Sequence, residues 1–263
     1  MKTPINWKVF FILWLAAILA TLAVLPYTLE LESGVLSEIE LRVPLPTLIA
    51  IQIAQSALLF AILIFVGMIL MKHIGLSTPI LDSVARGESA LDALRAILPI
   101  SIAFGVFASL LIVGLDTYVF QPALLRELGD SANRLNLQTS QPAAWKGFLA
   151  SFYGGITEEL LLRLFMMSLI AWLGSLISKT SEGKPTSAVF WTANILAAIL
   201  FGLGHLPATA TILPLTPLIV VRAIVLNGLV GVVFGYLYWK RGLESAMIAH
   251  FSADIVLHVL FAL

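Results

Sequence analysis

The sequence predicts an all-α protein, a polytopic membrane bundle of about seven transmembrane helices, with six to eight as the range. Composition is the first reason: of 263 residues, 60% are hydrophobic and 11% charged, against about 25% charged in ordinary soluble domains. Mean hydropathy, at +1.01, is the second. The third is length, because the apolar runs reach roughly 20 residues, enough at about 1.5 Å per helical residue to cross roughly 30 Å of hydrocarbon.

Taken in order, the first run, near Val9–Leu25, follows Lys2 and Lys8 and meets Pro26-Tyr27 without a small-residue cleavage pattern, so it reads as a retained span. A second run lies near Thr47–Met71 and a third near Leu94–Leu115. Between them, Leu81–Leu98 alternates apolar and charged residues at helical spacing, which suits an amphipathic helix lying at the interface. The fourth and sixth runs, Trp145–Ile177 and Ile212–Trp239, exceed a simple crossing. Each must tilt, extend or break, and a break near Arg222 would raise the number of spans to eight. The fifth, Ala188–His205, stops at a Gly- and Pro-bearing stretch, and Leu243–Leu263 completes the set. The connection Gln121–Gln141 carries no chemical motif, and residues 1–263 read as a single membrane domain.

Loop basicity sets the expected orientation. Lys2, Lys8, Lys72, Arg86, Arg95, Lys179, Lys184, Lys240 and Arg241 fall in alternate connections, which places those loops and the N-terminus in the cytoplasm. Formal net charge is zero, so nothing points to a nucleic-acid partner. The absence of cysteine excludes disulfides, thiolate metal sites and a cysteine nucleophile.

Ionisable residues in the second half form a constellation. Glu158, Glu159 and Arg163 sit within the apolar fourth run, where charge costs kilocalories and persists by pairing, lining a polar cavity or doing chemistry. On a helix Glu159 and Arg163 share a face and can pair, whereas Glu158 points about 100° away and is left to act on water or substrate. A purely structural ion cluster explains Glu159 and Arg163 equally well, but an unpaired Glu158 adds nothing to stability.

Two further elements follow. Phe201-Gly-Leu-Gly-His205 ends the fifth run, with Pro207 just beyond. On the last run His250, Asp254 and His258 recur at i, i+4 and i+8 and make one polar stripe. His258, near the chain end, is expected to reach solvent and to be structural. A carboxylate and an imidazole can deprotonate water, while a second imidazole donates to an oxyanion and protonates the leaving amine, so the inventory is that of a hydrolase. No Gly-x-Ser-x-Gly elbow or His-Glu-x-x-His zinc helix competes with it.

Glu158-Glu159-x-x-x-Arg163, Phe201-x-x-x-His205 and His250-x-x-x-Asp254, in this order, resemble the three motifs of the CAAX prenyl endopeptidase and bacteriocin-processing family, also called CPBP or Abi. The resemblance covers residues 144–263, the motif-bearing catalytic part, with 1–143 as additional spans. It implies an intramembrane endopeptidase acting on a peptide or protein, lipid-modified in some members. By motif, Glu158 and His205 would activate water, His250 and Asp254 would face the oxyanion, and Glu159, Arg163 and Phe201 would shape the site. Prenyl endopeptidases commonly carry asparagine where this chain has Asp254. An ionised carboxylate would repel an oxyanion, so Asp254 must be protonated, orient His250 or contribute to a metal site. No cofactor is expected; zinc held by Glu158, His205, His250 and Asp254 is the less favoured alternative.

Depth poses a problem for this reading. His205 falls at the far end of its span, whereas His250 lies about 10 Å from the basic end of the last one. They meet only if the fifth helix is short or tilted, or if the sixth segment crosses twice. Two other functions draw on the same residues: a proton- or ion-coupled transporter, and a non-catalytic membrane scaffold or immunity protein.

Overall fold

Nearly all the described chain is helical. The computed structural model describes residues 5–38, 42–129, 142–211 and 213–261; part of the Gln121–Gln141 connection, and Ile212, lie outside them. The helices are α1 (Trp7–Leu31), α2 (Ser33–Glu38), α3 (Leu45–Ile74), α4 (Pro79–Arg86), α5 (Leu91–Leu128), α6 (residues 144–175), α7 (Ser187–Gly204), α8 (Leu206–Ala210), α9 (Pro217–Arg241) and α10 (Leu243–Leu260). By length and composition α1, α3, α5, α7 continued by α8, α9 and α10 can each cross a membrane. α6, less uniformly wound, packs between α1, α3, α7 and α10. The protein is an integral, multi-pass membrane protein.

Arg222 does not divide the sixth segment. α9 runs unbroken from Pro217, whose ring suits a first helical position, with the Thr216 hydroxyl accepting from Ile219 N at 3.3 Å. The Arg222 charge is met laterally, by Asp116 of α5, so the helix need not unwind around it. The amphipathic stretch differs from expectation too. Gly87, at φ 76°, ends α4, and Leu91 already opens the long α5, so Leu81–Leu98 is two helices rather than one.

Packing relies on close backbone approach, since lipid is as apolar as the side chains it would replace. A Cβ at Gly105 on α5 would collide with the Ala249 carbonyl of α10, and one at Gly202 on α7 would sit 2.6 Å from Ile224 Cα on α9. The apolar face of α6, with Leu160, Leu164 and Met167, is fully buried, as are Ile64 and Met68 of α3 and Phe234 and Leu237 of α9.

The loops rich in Lys and Arg gather at one end. There Lys8 Nζ donates to Val84 O at 3.0 Å, Lys184 Nζ to His73 O at 3.3 Å, and Arg241 Nη1 to Ala96 O at 3.4 Å. Gly242, at φ 93°, turns the chain between α9 and α10 at this end, and Glu244 caps the start of α4 by accepting from Leu81 N at 2.9 Å. The opposite end is tied by Lys146–Glu30 at 2.6 Å and by Arg222–Asp116.

Candidate active site

α6 departs from α-geometry where it carries its charges. Tyr153–Glu158 and Leu160–Met167 are wound as π-helix, with i→i+5 bonding, a rare form concentrated at functional sites. Gly154 and Gly155 press this stretch onto α10. A Cβ at Gly154 would strike Asp254 Oδ2 and lie 3.0 Å from His250 Nε2, and one at Gly155 would lie 2.9 Å from Phe251 Cβ.

Glu159 and Arg163 pair as their spacing predicts, Nη1 to Oε1 at 2.9 Å, with both side chains essentially inaccessible. The guanidinium also donates through Nη2 to Gly231 O at 2.8 Å and lies between the rings of Phe201 and Phe234, 5.2 and 5.5 Å from their centroids. Such charge is tolerable in a bundle interior because a carboxylate, a carbonyl and two aromatic faces replace water.

Glu159 has a second partner that spacing does not reveal. His250 Nδ1 donates to Glu159 Oε1 at 2.7 Å, and Phe234 stacks on the imidazole with centroids 4.6 Å apart. The ring is thereby fixed in orientation, with Nε2 turned toward Glu158 Oε2 at 3.5 Å and Asp254 Oδ1 at 3.7 Å. Glu159, rather than Asp254, holds the Nδ1 side of His250.

Glu158 faces the other way, as expected, with 24% of its side chain exposed against 0% for Glu159. It lines a cavity of about 410 Å³ together with His205, His250, Asp254 and Phe201. At the end of α7, His205 Nδ1 lies 2.9 Å from Phe201 O. A carbonyl oxygen only accepts, so Nδ1 donates, and in the neutral ring Nε2 keeps its lone pair. The depth conflict is resolved by the short α7 beside an undivided α9. Phe201, one turn before His205, bridges the remaining distance, edge-on to His205 at 4.7 Å and to His250 at 5.6 Å.

Additions come from α1, α9 and α10. His258 is partly buried, and its Nδ1 lies 3.3 Å from the Tyr27 hydroxyl. Phe234, Gly154, Arg222 and the α1 residues Val24 and Tyr27 also shape the cavity. A small-residue pair beside ionisable residues was the one available signal, at Gly154-Gly155; Phe234 is an ordinary apolar residue in sequence. Among the described residues no group of three or more His, Asp or Glu side chains is arranged to hold a metal ion.

Residues 140–256 match the family model described as "Type II CAAX prenyl endopeptidase Rce1-like". The matched stretch contains all three motifs and stops short of His258. Comparison with curated proteins and with solved structures found no match.

Proposed function

Starting from the similarity of residues 140–256 to the type II CAAX prenyl endopeptidases, we propose that this membrane protein is an intramembrane endopeptidase that hydrolyses a peptide bond with a water activated by Glu158 and His205. One observation carries the reading: Glu158, His205, His250 and Asp254, from three different helices, line one cavity inside the bundle.

In this mechanism the peptide enters the cavity, and the Glu158 carboxylate and His205 Nε2 take the proton of a water as its oxygen attacks the scissile carbonyl. His250 acts here as the imidazolium, its Nδ1–H donating to Glu159 and its Nε2–H turned to the developing oxyanion. The C–N bond breaks as the leaving nitrogen receives the proton taken from water. Asp254, 3.7 Å from His250 Nε2, is assigned a positioning role on the substrate side of the ring. Glu159, Arg163 and Phe201 hold the frame. The basic end of the bundle is assigned to the cytoplasm, with the N-terminus on that side.

Purified protein in detergent is expected to cleave a peptide spanning a hydrophobic segment. Glu158→Gln and His205→Ala are each expected to reduce turnover by about 10²–10⁴-fold, the range for a lost general base. Wild-type turnover in both variants would end this assignment. Glu158→Gln also serves as a trap, with co-purifying peptides identified by mass spectrometry; cleavage by the wild type of a trapped peptide names the substrate.

A further inference from the structure

The polar stripe of α10 continues past the residues that the mechanism uses. His258 lies two turns beyond His250 and, with Ile112, Arg222, Leu226 and Leu257, belongs to the wall of the site cavity and to that of a second cavity of about 350 Å³. The two cavities therefore adjoin along one wall. The rest of the second cavity includes Asp116, Thr117 and Gln121, where α5 passes through the π turn Asp116–Phe120 at the end of the bundle opposite the basic loops.

Asp116 and Arg222 make a two-pronged pair across this cavity, Nε to Oδ1 at 2.6 Å and Nη2 to Oδ2 at 2.7 Å, with Gln121 Nε2 3.4 Å from Asp116 Oδ2. The side chains are 16% and 31% exposed. Ions at such a position in a membrane protein face a bundle interior or a water-filled space. The outward side of α5 is apolar, with Phe107, Leu110 and Leu111 exposed, so the pair faces inward. Hydrolysis consumes one water per peptide bond, and a site walled by lipid-facing helices needs a polar way in.

The geometry points to the second cavity as the water-entry vestibule of the site, opening on the face opposite the basic loops and leading past Asp116, Arg222 and His258 toward Asp254 and Glu158. This rests on the hydrolytic reading for its purpose but not for its existence. Were the ion pair only a clamp between α5 and α9, the cavity would be closed to solutes and its filling would not affect turnover.

The chain has no cysteine, so single-cysteine variants report cleanly. Thr117→Cys lines only the second cavity, Ser89→Cys lies exposed at the basic end, and Leu110→Cys faces lipid. A charged, membrane-impermeant thiosulfonate reacts with a thiolate, which forms only where water reaches. In sealed vesicles of one orientation, Thr117→Cys is expected to react at a rate comparable with Ser89→Cys but from the opposite side, with Leu110→Cys inert. In detergent, reacted Thr117→Cys is expected to lose about tenfold in kcat with KM unchanged, because water rather than peptide is obstructed. Thr117→Cys as inert as Leu110→Cys, or reacted protein with full kcat, would overturn the vestibule. Glu158→Gln run alongside tests the hydrolytic reading separately, since its retained turnover would remove that reading and leave the labelling result standing.

Discussion

Glu158 and Glu159 are chain neighbours that face two different regions. Behind α6 lies a dry compartment in which Glu159 Oε1 meets Arg163 Nη1 and His250 Nδ1, and the guanidinium also meets Gly231 O and the rings of Phe201 and Phe234, while Glu159 Oε2 has no hydrogen-bond partner among the described residues. In front lies the open cavity, where Glu158 is 3.5 Å from His250 Nε2 and His205 presents a ring whose Nδ1 is already engaged. His250 belongs to both, one nitrogen on each side. On the proposed mechanism, the charges that carry no chemistry fix the geometry of those that do.

The sharpest way to break this division is on the dry side. Arg163→Ala leaves Glu159 buried without its cation, and removing one partner of a buried pair costs about 3–5 kcal/mol. The expected outcome is a large fall in thermal stability in detergent, with activity lost alongside the fold; an unshifted melting temperature would show that the compartment is not closed. On the wet side, His205→Ala is expected to lose about 10²–10⁴-fold in kcat while melting near the wild type, as its ring sits at a helix end, on the cavity side of Phe201. Gly154→Ala tests the contact between the two regions. Its Cβ displaces Asp254 and crowds His250, so we expect about a tenfold loss of kcat, although alanine is intrinsically the better helix residue by about 0.5–1 kcal/mol. The smallest effect belongs to a pair outside both regions. Lys146→Ala breaks the accessible bridge to Glu30 and should change stability by no more than about 1 kcal/mol and turnover not at all.

Much of this was legible in the sequence, where periodicity governs. The seven apolar runs, the gathering of basic loops at one end and the Glu159–Arg163 pair all follow from spacing within a single element. Contacts between helices have no period, so the bond from His250 to Glu159 and the stacking of Phe234 were hidden. The π winding of α6 was equally unmarked, because Gly154-Gly155 could as readily signal a bend. Arg222 left room for an eighth span, yet its partner lay on another helix, 106 positions away at Asp116. The meeting of His258 with Tyr27 was hidden as well, because the sequence does not show that α1 brings Tyr27 to it.

The most direct test of the division sets two conservative variants side by side. Glu158→Gln and Glu159→Gln would be purified in the same detergent, and peptide turnover and melting temperature measured on each preparation. The division predicts that Glu158→Gln loses turnover by about 10²–10⁴-fold with its melting temperature kept. Glu159→Gln is expected to melt substantially lower, since it removes the anion from beneath Arg163 and His250. Equal destabilisation of the two variants, or full turnover in Glu158→Gln, would contradict it.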